Sequence, residues 1–256
     1  MPFELQKKQI NQFRNYGILK INNFFEKKEI LTLKNNLIKR LKKRNSFECY
    51  YENLRGKRHL RRIEKLSTNS KDFYKILNNK DLKYALKKLS FKRQYLFKDK
   101  LNFKYPKSEG FTRHIDGHWY WYNKKNKKEM GWKKYGNEFL NVVIPLENVY
   151  LKNGCLYLSS KKYTSNYLGR NWNEITKNLN KDKSVLNKKF KFKPHPLNVG
   201  DILIFSWKVC HFSKKNLSKS SRMIVYATFS DKKNQMAKYY LDKTNSKSSK
   251  KQKVFF

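Results

Sequence analysis

The spacing of hydrophobic residues changes once along this chain, near residue 93, and that change limits the folds open to it. Before residue 93, apolar side chains recur every three or four positions, as in residues 26–41 and 72–89, which predicts amphipathic helices. After it, they alternate with polar ones. Residues 95–105 place Phe97, Leu101 and Phe103 on one face and a row of lysines on the other, which predicts a strand.

Short strands follow one another through the rest of the chain. Helices first and many short strands afterwards predict an α+β protein with a mainly β core, in which the helices pack on a sandwich or barrel. We expect one domain over 1–242, helical over about 1–92 and β over about 93–230, and a basic, mobile tail over 243–256. The further predicted strands are 139–146, 155–159, 202–207 and 223–229.

The formal net charge is +42, which would suit a protein that binds nucleic acid. The lysines run along nearly the whole chain, however, and outnumber arginine, the better reader of phosphates and bases. We therefore expect no specific nucleic-acid partner. A non-enzymatic protein that binds nucleic acid or other polyanions remains the alternative.

The three cysteines, Cys49, Cys155 and Cys210, lack CxxC spacing and are odd in number, which argues against a disulfide framework and structural zinc. The first residues carry no secretory apolar segment, and no apolar run is long enough to span a membrane. We expect a reduced, cytoplasmic location. The sequence does not indicate an oligomeric state.

Three residues form a candidate metal site: His114 and Asp116, two positions apart, and the distant His211. Two histidines and one carboxylate are the ligands that hold non-haem Fe(II) and leave positions open for other ligands. Arg222 follows His211 after a polar turn, and Ser213 lies two residues beyond His211. A fixed guanidinium near an iron ligand suits a bidentate clamp on a dicarboxylic co-substrate, to which Ser213 could also donate.

Three blocks resemble the phytanoyl-CoA dioxygenase-like Fe(II)/2-oxoglutarate oxygenases. The first runs from Phe97 through Asn102 to the His114-Ile115-Asp116 motif; the second is 143–156; the third runs from Gly200 to Tyr226. The chain departs from the family at Ser160–Tyr163, where a Pro-Gly-Ser-His is common, and at Ile115, where Gln is common.

This resemblance implies a double-stranded β-helix of the jelly-roll and cupin type, with packed N-terminal helices. It also implies Fe(II), 2-oxoglutarate and O₂. His114, Asp116 and His211 would bind iron, Arg222 and Ser213 would bind the distal carboxylate of 2-oxoglutarate, and Asn102 would approach that co-substrate.

The substrate is expected to be a small polar or anionic metabolite that is hydroxylated as 2-oxoglutarate is converted to succinate and CO₂. The stretch from Leu96 to Asp116 resembles relatives that hydroxylate phosphonates such as 2-aminoethylphosphonate. Lys98, Lys100 and Lys104 are candidates to meet an anionic group, although a solvated lysine face is the alternative for each. His118 is expected at the pocket or its rim.

Overall fold

A computed structural model describes residues 3–42, 47–117, 120–122, 128–164 and 190–245. Its centre is two antiparallel sheets. The strands are β1 (Ile18–Ile21), β2 (Glu48–Leu54), β3 (Lys57–Glu64), β4 (Tyr95–Lys104), β5 (Phe111–Ile115), β6 (Tyr120–Tyr122), β7 (Lys128–Met130), β8 (Phe139–Pro145), β9 (Leu156–Ser159), β10 (Phe192–His195), β11 (Ile202–Ser206), β12 (Cys210–Ser213) and β13 (Arg222–Ser230). The large sheet has the strand order β1-β11-β8-β13-β4-β3-β2 and the small sheet the order β10-β9-β12-β5, while β6 and β7 form a separate pair.

The helices lie against one face of the large sheet. Apolar residues of this face, including Leu101, Val142 and Val225, share one buried cluster with the helix stripes. The mainly-β core with packed N-terminal helices is therefore confirmed. The helices are α1 (Lys7–Tyr16), α2 (Lys27–Lys42), α3 (Leu66–Asn69), α4 (Lys71–Leu77), α5 (Lys80–Ser90) and α6 (Gln235–Asn245).

The other face of the large sheet turns toward the small sheet. Val143, Phe205 and Ile224 of the large sheet pack there with Leu158 and Val209 of the small-sheet side. Because side chains alternate between faces, β4, whose Leu101 and Phe103 pack toward the helices, presents Lys98, Lys100 and Asn102 to the space between the sheets.

The structure differs from the sequence-based prediction in three places, two within the first 92 residues and one at the start of the expected tail. Residues 72–89 form two helices, because the Asn79 side chain accepts from the backbone N–H groups of Asp81 and Leu82 and starts α5 anew. The part expected to be helical also contains the β2–β3 hairpin, which extends the large sheet. The expected tail begins later, since Lys243 lies in α6 and pairs with Glu64; residues 246–256 lie outside the described part.

Within the described residues, no helix is long and apolar enough to cross a membrane. Cys49, Cys155 and Cys210 are free thiols, and two of them are buried.

Candidate metal centre and co-substrate pocket

His114, Asp116 and His211 meet between the two sheets, and their ligand-type atoms lie within 4.8 Å of one another. His114 is in β5 and His211 in β12, and the two strands pair so that these residues lie opposite each other. Asp116 follows directly after β5, and its carboxylate oxygens lie 3.9 Å from Nε2 of His114 and 3.8 Å from Nε2 of His211. His211 was expected just beyond strand 202–207; it lies instead in a separate strand.

Backbone carbonyls fix both imidazole rings. Nδ1 of His114 lies 2.7 Å from the carbonyl oxygen of Thr112, and Nδ1 of His211 lies 3.1 Å from that of Val209. A carbonyl only accepts, so each Nδ1 is the protonated nitrogen and each Nε2 keeps its lone pair. Both lone pairs are therefore free to bind a metal beside the Asp116 carboxylate.

A neighbouring amide holds the carboxylate of Asp116. Nδ2 of Asn141 donates to its Oδ2 at 2.9 Å, and Oδ1 of Asn141 accepts from the Thr228 hydroxyl at 2.7 Å. Hydrogen bonds of this kind orient metal-binding carboxylates and tune their affinity. The sequence analysis missed Asn141 and Thr228, although an Asn within the fully buried strand β8 was a signal that its amide needed a polar partner.

The pKa values of His114, Asp116 and His211 keep the three side chains in the protonation states that bind a cation. Burial first, and then the neighbouring His211 ring, lower the pKa of His114 to about 4. Burial also lowers the pKa of His211. For Asp116, burial alone would raise the pKa, but the neighbouring cationic groups, His211 and Lys98 first, hold it at about 2. At neutral pH the triad is therefore two neutral imidazoles and one carboxylate.

A cavity opens beside the triad, and the polar face of β4 forms one wall. Lys98, Lys100 and Asn102 all line it, as the alternation in residues 95–105 predicted. Asn102 is buried, and its Oδ1 has no hydrogen-bond partner among the described residues. Apolar side chains from both sheets line it as well: Phe205 from the large sheet, and Leu156 and Phe212 from the small one. The cavity thus combines a polar strand face with apolar side chains next to a potential metal ligand set.

Arg222 is fully buried and lies opposite Lys104 on the adjacent strand. Its Nη1 is 3.5 Å from the hydroxyl of Tyr226, a cavity-lining residue, whereas Nε and Nη2 have no partner within the described structure. Nε and Nη2 form one edge of the guanidinium, the edge that grips a carboxylate with two parallel hydrogen bonds. Burying these two N–H groups without an acceptor raises the free energy of the folded chain unless an anion binds them, so Arg222 fits a carboxylate ligand.

Lys104 and Ser213 adjoin this guanidinium. Nζ of Lys104 donates to Oγ of Ser213 at 2.8 Å and to the backbone oxygen of Lys214 at 2.6 Å, and Lys104 is fully buried. The backbone N–H of Phe111 also donates to Oγ of Ser213 at 3.3 Å, so the Ser213 hydroxyl proton remains available to another acceptor. Lys104 is absent from the cavity lining, unlike Lys98 and Lys100. His118 lies outside the described residues.

The model of one family, phytanoyl-CoA dioxygenase (PhyH), matches residues 13–224. The chain belongs to this family. The match includes all three residues of the triad and the arginine behind it, so the resemblance recognised from the three sequence blocks is confirmed.

Among curated proteins, this family member is 25% identical over 178 residues to a 2-aminoethylphosphonate dioxygenase from the uncultured bacterium HF130_AEPn_1. It is also 25% identical over 180 residues to the dioxygenase lolE1 of Epichloe uncinata. These matches cover 68% and 70% of this chain, but they span only 60% and 63% of the two relatives.

Solved structures share the architecture. HygX from Streptomyces hygroscopicus, with nickel and 2-oxoglutarate bound, is similar with a TM-score of 0.68 at 13% identity, covering 89% of this chain and 88% of HygX. At that identity the likeness concerns the fold, and the expected double-stranded β-helix is confirmed.

Proposed function

We propose that this chain is an Fe(II)- and 2-oxoglutarate-dependent dioxygenase that hydroxylates a small metabolite. The observation that carries the proposal is the triad together with the unpartnered Arg222: the triad lines the cavity, and Arg222 lies behind its wall, with Nη1 3.5 Å from the hydroxyl of the cavity-lining Tyr226. Membership of the phytanoyl-CoA dioxygenase family supports it.

In this proposal Nε2 of His114, Nε2 of His211 and the Asp116 carboxylate hold the iron. The bound iron, 2-oxoglutarate and O₂ together supply the oxidation of a substrate C–H bond, with succinate and CO₂ as products. The chain's own part is to fix the ligands. The carbonyls behind both histidines select the tautomer that presents Nε2, and Asn141 orients the carboxylate.

Arg222 binds the distal carboxylate of 2-oxoglutarate through Nε and Nη2, and Ser213 donates its free hydroxyl proton to the same group. Asn102 approaches the co-substrate from β4. Lys104 was expected at the substrate, but its burial and its bond to Ser213 favour a place beside Arg222 instead. Burial, and then the neighbouring Arg222, lower the pKa of Lys104 to about 6, so this lysine can take up a proton when a dianion binds beside Arg222 and offset part of its charge.

Turnover is tested by succinate formation from 2-oxoglutarate with Fe(II) and O₂, with and without candidate substrates. We expect His114→Ala and Asp116→Ala to abolish it, because each removes a metal ligand. Arg222→Ala should mainly raise the KM for 2-oxoglutarate. Arg58→Ala, at an exposed arginine of β3, is the matched control and should change neither quantity. The proposal fails if the unaltered chain forms no succinate, even uncoupled from substrate, and calorimetry detects no 2-oxoglutarate binding.

For the substrate, we propose a small polar or anionic metabolite, with phosphonates such as 2-aminoethylphosphonate first among the candidates. The support is the named activity of one relative and the lysines on the cavity wall. A panel of phosphonates, carboxylates and CoA thioesters, scored by stimulated succinate release, tests this choice. If no phosphonate stimulates release while another class does, the phosphonate proposal is wrong.

A further inference from the structure

Lys98 and Lys100 share one face of β4 and both line the cavity next to the triad. The two side chains are partly buried, and neither ammonium group makes a hydrogen bond or an ion pair within the described structure. Their recorded neighbours are aromatic rings: Nζ of Lys98 lies 3.9 Å from the centre of the Trp132 ring, and Nζ of Lys100 lies 5.8 Å from that of Tyr226. Two ammonium groups thus face a confined space in which the Asp116 carboxylate is the one acidic group lining the cavity among the described residues.

Such an arrangement is electrostatically unfavourable for the chain by itself. Burial is the main cause that lowers the pKa of Lys98 to about 8, and that of Lys100 to about 7. The cation–π contact with Trp132 holds the Lys98 ammonium in place but neutralises no charge. The buried lysines are therefore poised to gain from an anion that enters the cavity.

Asp116 is the one acid that lines the cavity within the described residues. If Asp116 binds iron, as in the proposed function on which this inference rests, its charge is committed to the metal. Bound 2-oxoglutarate is a dianion whose distal carboxylate would pair with Arg222. Together with Asp116 it balances the charges of the divalent iron and of Arg222. The two ammonium groups then give the cavity an excess of positive charge, even with Glu64 near both, and an anionic substrate would neutralise this excess.

From this geometry we infer that the substrate carries a doubly charged oxyanion, of the phosphonate or phosphate-ester class, which Lys98 and Lys100 bind together. Residues two apart on one face of a strand lie about 7 Å apart at their Cα atoms, so two flexible ammonium groups can converge on one tetrahedral group. Such a group offers three oxygens, while a carboxylate offers two and a single charge. Phe205 and Phe212, which also line the cavity, would pack against the remainder of the substrate.

The first test measures binding without turnover. The full chain, loaded with Ni(II) and 2-oxoglutarate in the absence of O₂, is titrated calorimetrically with 2-aminoethylphosphonate and with 3-aminopropanoate, which keeps the amine but has a singly charged carboxylate. We expect saturable binding of the phosphonate, at least about tenfold tighter than the carboxylate. Lys98→Met and Lys100→Met should each weaken it about tenfold or more, as expected for the loss of a charged hydrogen bond.

Lys87→Met is the matched control, because Lys87 is exposed on α5 and its loss removes the same charge from the molecule. It should leave phosphonate binding unchanged. The 2-oxoglutarate affinity of each variant is measured alongside, because Lys100 lies against Tyr226, whose hydroxyl is 3.5 Å from Nη1 of Arg222. The expected result is that the phosphonate loses more affinity than 2-oxoglutarate in both lysine variants.

The inference is overturned if neither phosphonate nor phosphate monoesters such as ethanolamine phosphate bind saturably, or if they bind equally to the Lys98→Met and Lys100→Met variants. It is also overturned if the carboxylate binds as tightly as the phosphonate. Failure of the proposed function itself gives a different result: the unaltered chain would then neither bind 2-oxoglutarate nor form succinate. Binding of 2-oxoglutarate by the unaltered chain, together with lost phosphonate binding in Lys98→Met and Lys100→Met but not in Lys87→Met, would keep the dioxygenase and assign the two lysines to the substrate.

Discussion

At the scale of single residues, Asn141 is the least conspicuous part of the metal centre and the easiest to test. Its amide links the Asp116 carboxylate to the hydroxyl of Thr228. We expect Asn141→Ala to weaken metal binding about 10- to 100-fold, as is typical when the partner of a metal ligand is lost. Anaerobic titration with Co(II), followed by its visible absorption, measures the affinity.

Thr228→Val is the graded control for Asn141, because it removes only the outer hydrogen bond of this chain. Its effect should be smaller than that of Asn141→Ala. Equal metal affinity in the unaltered chain and Asn141→Ala would show that the amide has no part in holding the carboxylate.

The pH dependence of stability provides a second test at this scale. The pKa of Lys100 is about 7 in the folded chain, below its value of about 10.4 in an unfolded one. Between these values the unfolded state binds more protons, so this lysine makes stability rise with pH from about 7 to 10. In the metal-free chain at pH 7, Lys100→Met should therefore raise Tm by at least about 2–4 °C, because a pKa lowered this far corresponds to more than about 1 kcal/mol even after solvent screening is allowed for.

The Lys100→Met variant should also show a flatter rise of Tm between pH 7 and 10 than the unaltered chain. Lys87→Met, at an exposed site, should follow the unaltered chain at every pH. Thermal melts followed by circular dichroism measure Tm at each pH. An unchanged or lower Tm in Lys100→Met would contradict the expected cost of burying this charge.

At the scale of elements, the turn before β9 packs directly against Lys104, which we propose lies beside the 2-oxoglutarate site. Gly154 has φ +83°, and a Cβ there would lie 2.6 Å from the backbone oxygen of Lys214 and 3.0 Å from Nζ of Lys104. Gly154→Ala should therefore displace Lys104 from Ser213 and raise the KM for 2-oxoglutarate several-fold. Gly56→Ala has a similar φ of +75° but meets nothing within 4 Å, so it should cost only the backbone strain.

Steady-state kinetics and thermal melts on the two glycine variants separate strain from displacement. Both should lose a comparable part of their stability from the left-handed backbone, while only Gly154→Ala should change the 2-oxoglutarate dependence. If both variants keep the KM of the unaltered chain, the close approach at Gly154 does not position the co-substrate.

The elements also show what the sequence could and could not predict. Strong, regular patterns were read correctly: the lysine face of β4 lines the cavity, and Gly17 ends α1 before β1. The hairpin of β2 and β3 was missed because its half-exposed residues alternate poorly and carry many charges. The four-residue strand β12 was missed because it is too short to show a period.

The same limit applies to the candidate site. The spacing of His114, Asp116, His211 and Arg222 is visible along the chain, so these residues could be proposed from sequence. The bond between Asn141 and Asp116, or between Lys104 and Ser213, joins residues that meet only through strand register and leaves no local pattern. For that reason the sequence predicts Lys104 at the substrate, whereas its bond to Ser213 leads us to propose a place beside Arg222.

At the scale of the whole molecule, the charge of +42 divides into two populations of lysines. A few, such as Lys98, Lys100 and Lys104, are withdrawn from solvent around the candidate site. Many others lie exposed on helices and strand edges, as Lys87 and Lys193 do. The exposed group is spread over the surface, which favours diffuse attraction to polyanions over a defined nucleic-acid interface.

Diffuse attraction has a recognisable salt dependence, and that dependence decides between the enzyme and a dedicated polyanion-binding protein. A protein that makes six to ten phosphate contacts loses about 10³- to 10⁵-fold in affinity between about 50 and 200 mM salt. We expect duplexes of unrelated sequence to bind this chain equally at low salt and to dissociate together as salt rises. Fluorescence anisotropy with labelled duplexes measures this, and added duplex should leave succinate formation at about 200 mM salt unchanged. Sequence-selective binding that survives this salt would instead support the nucleic-acid alternative, because contacts to bases depend far less on released counterions than contacts to phosphates do.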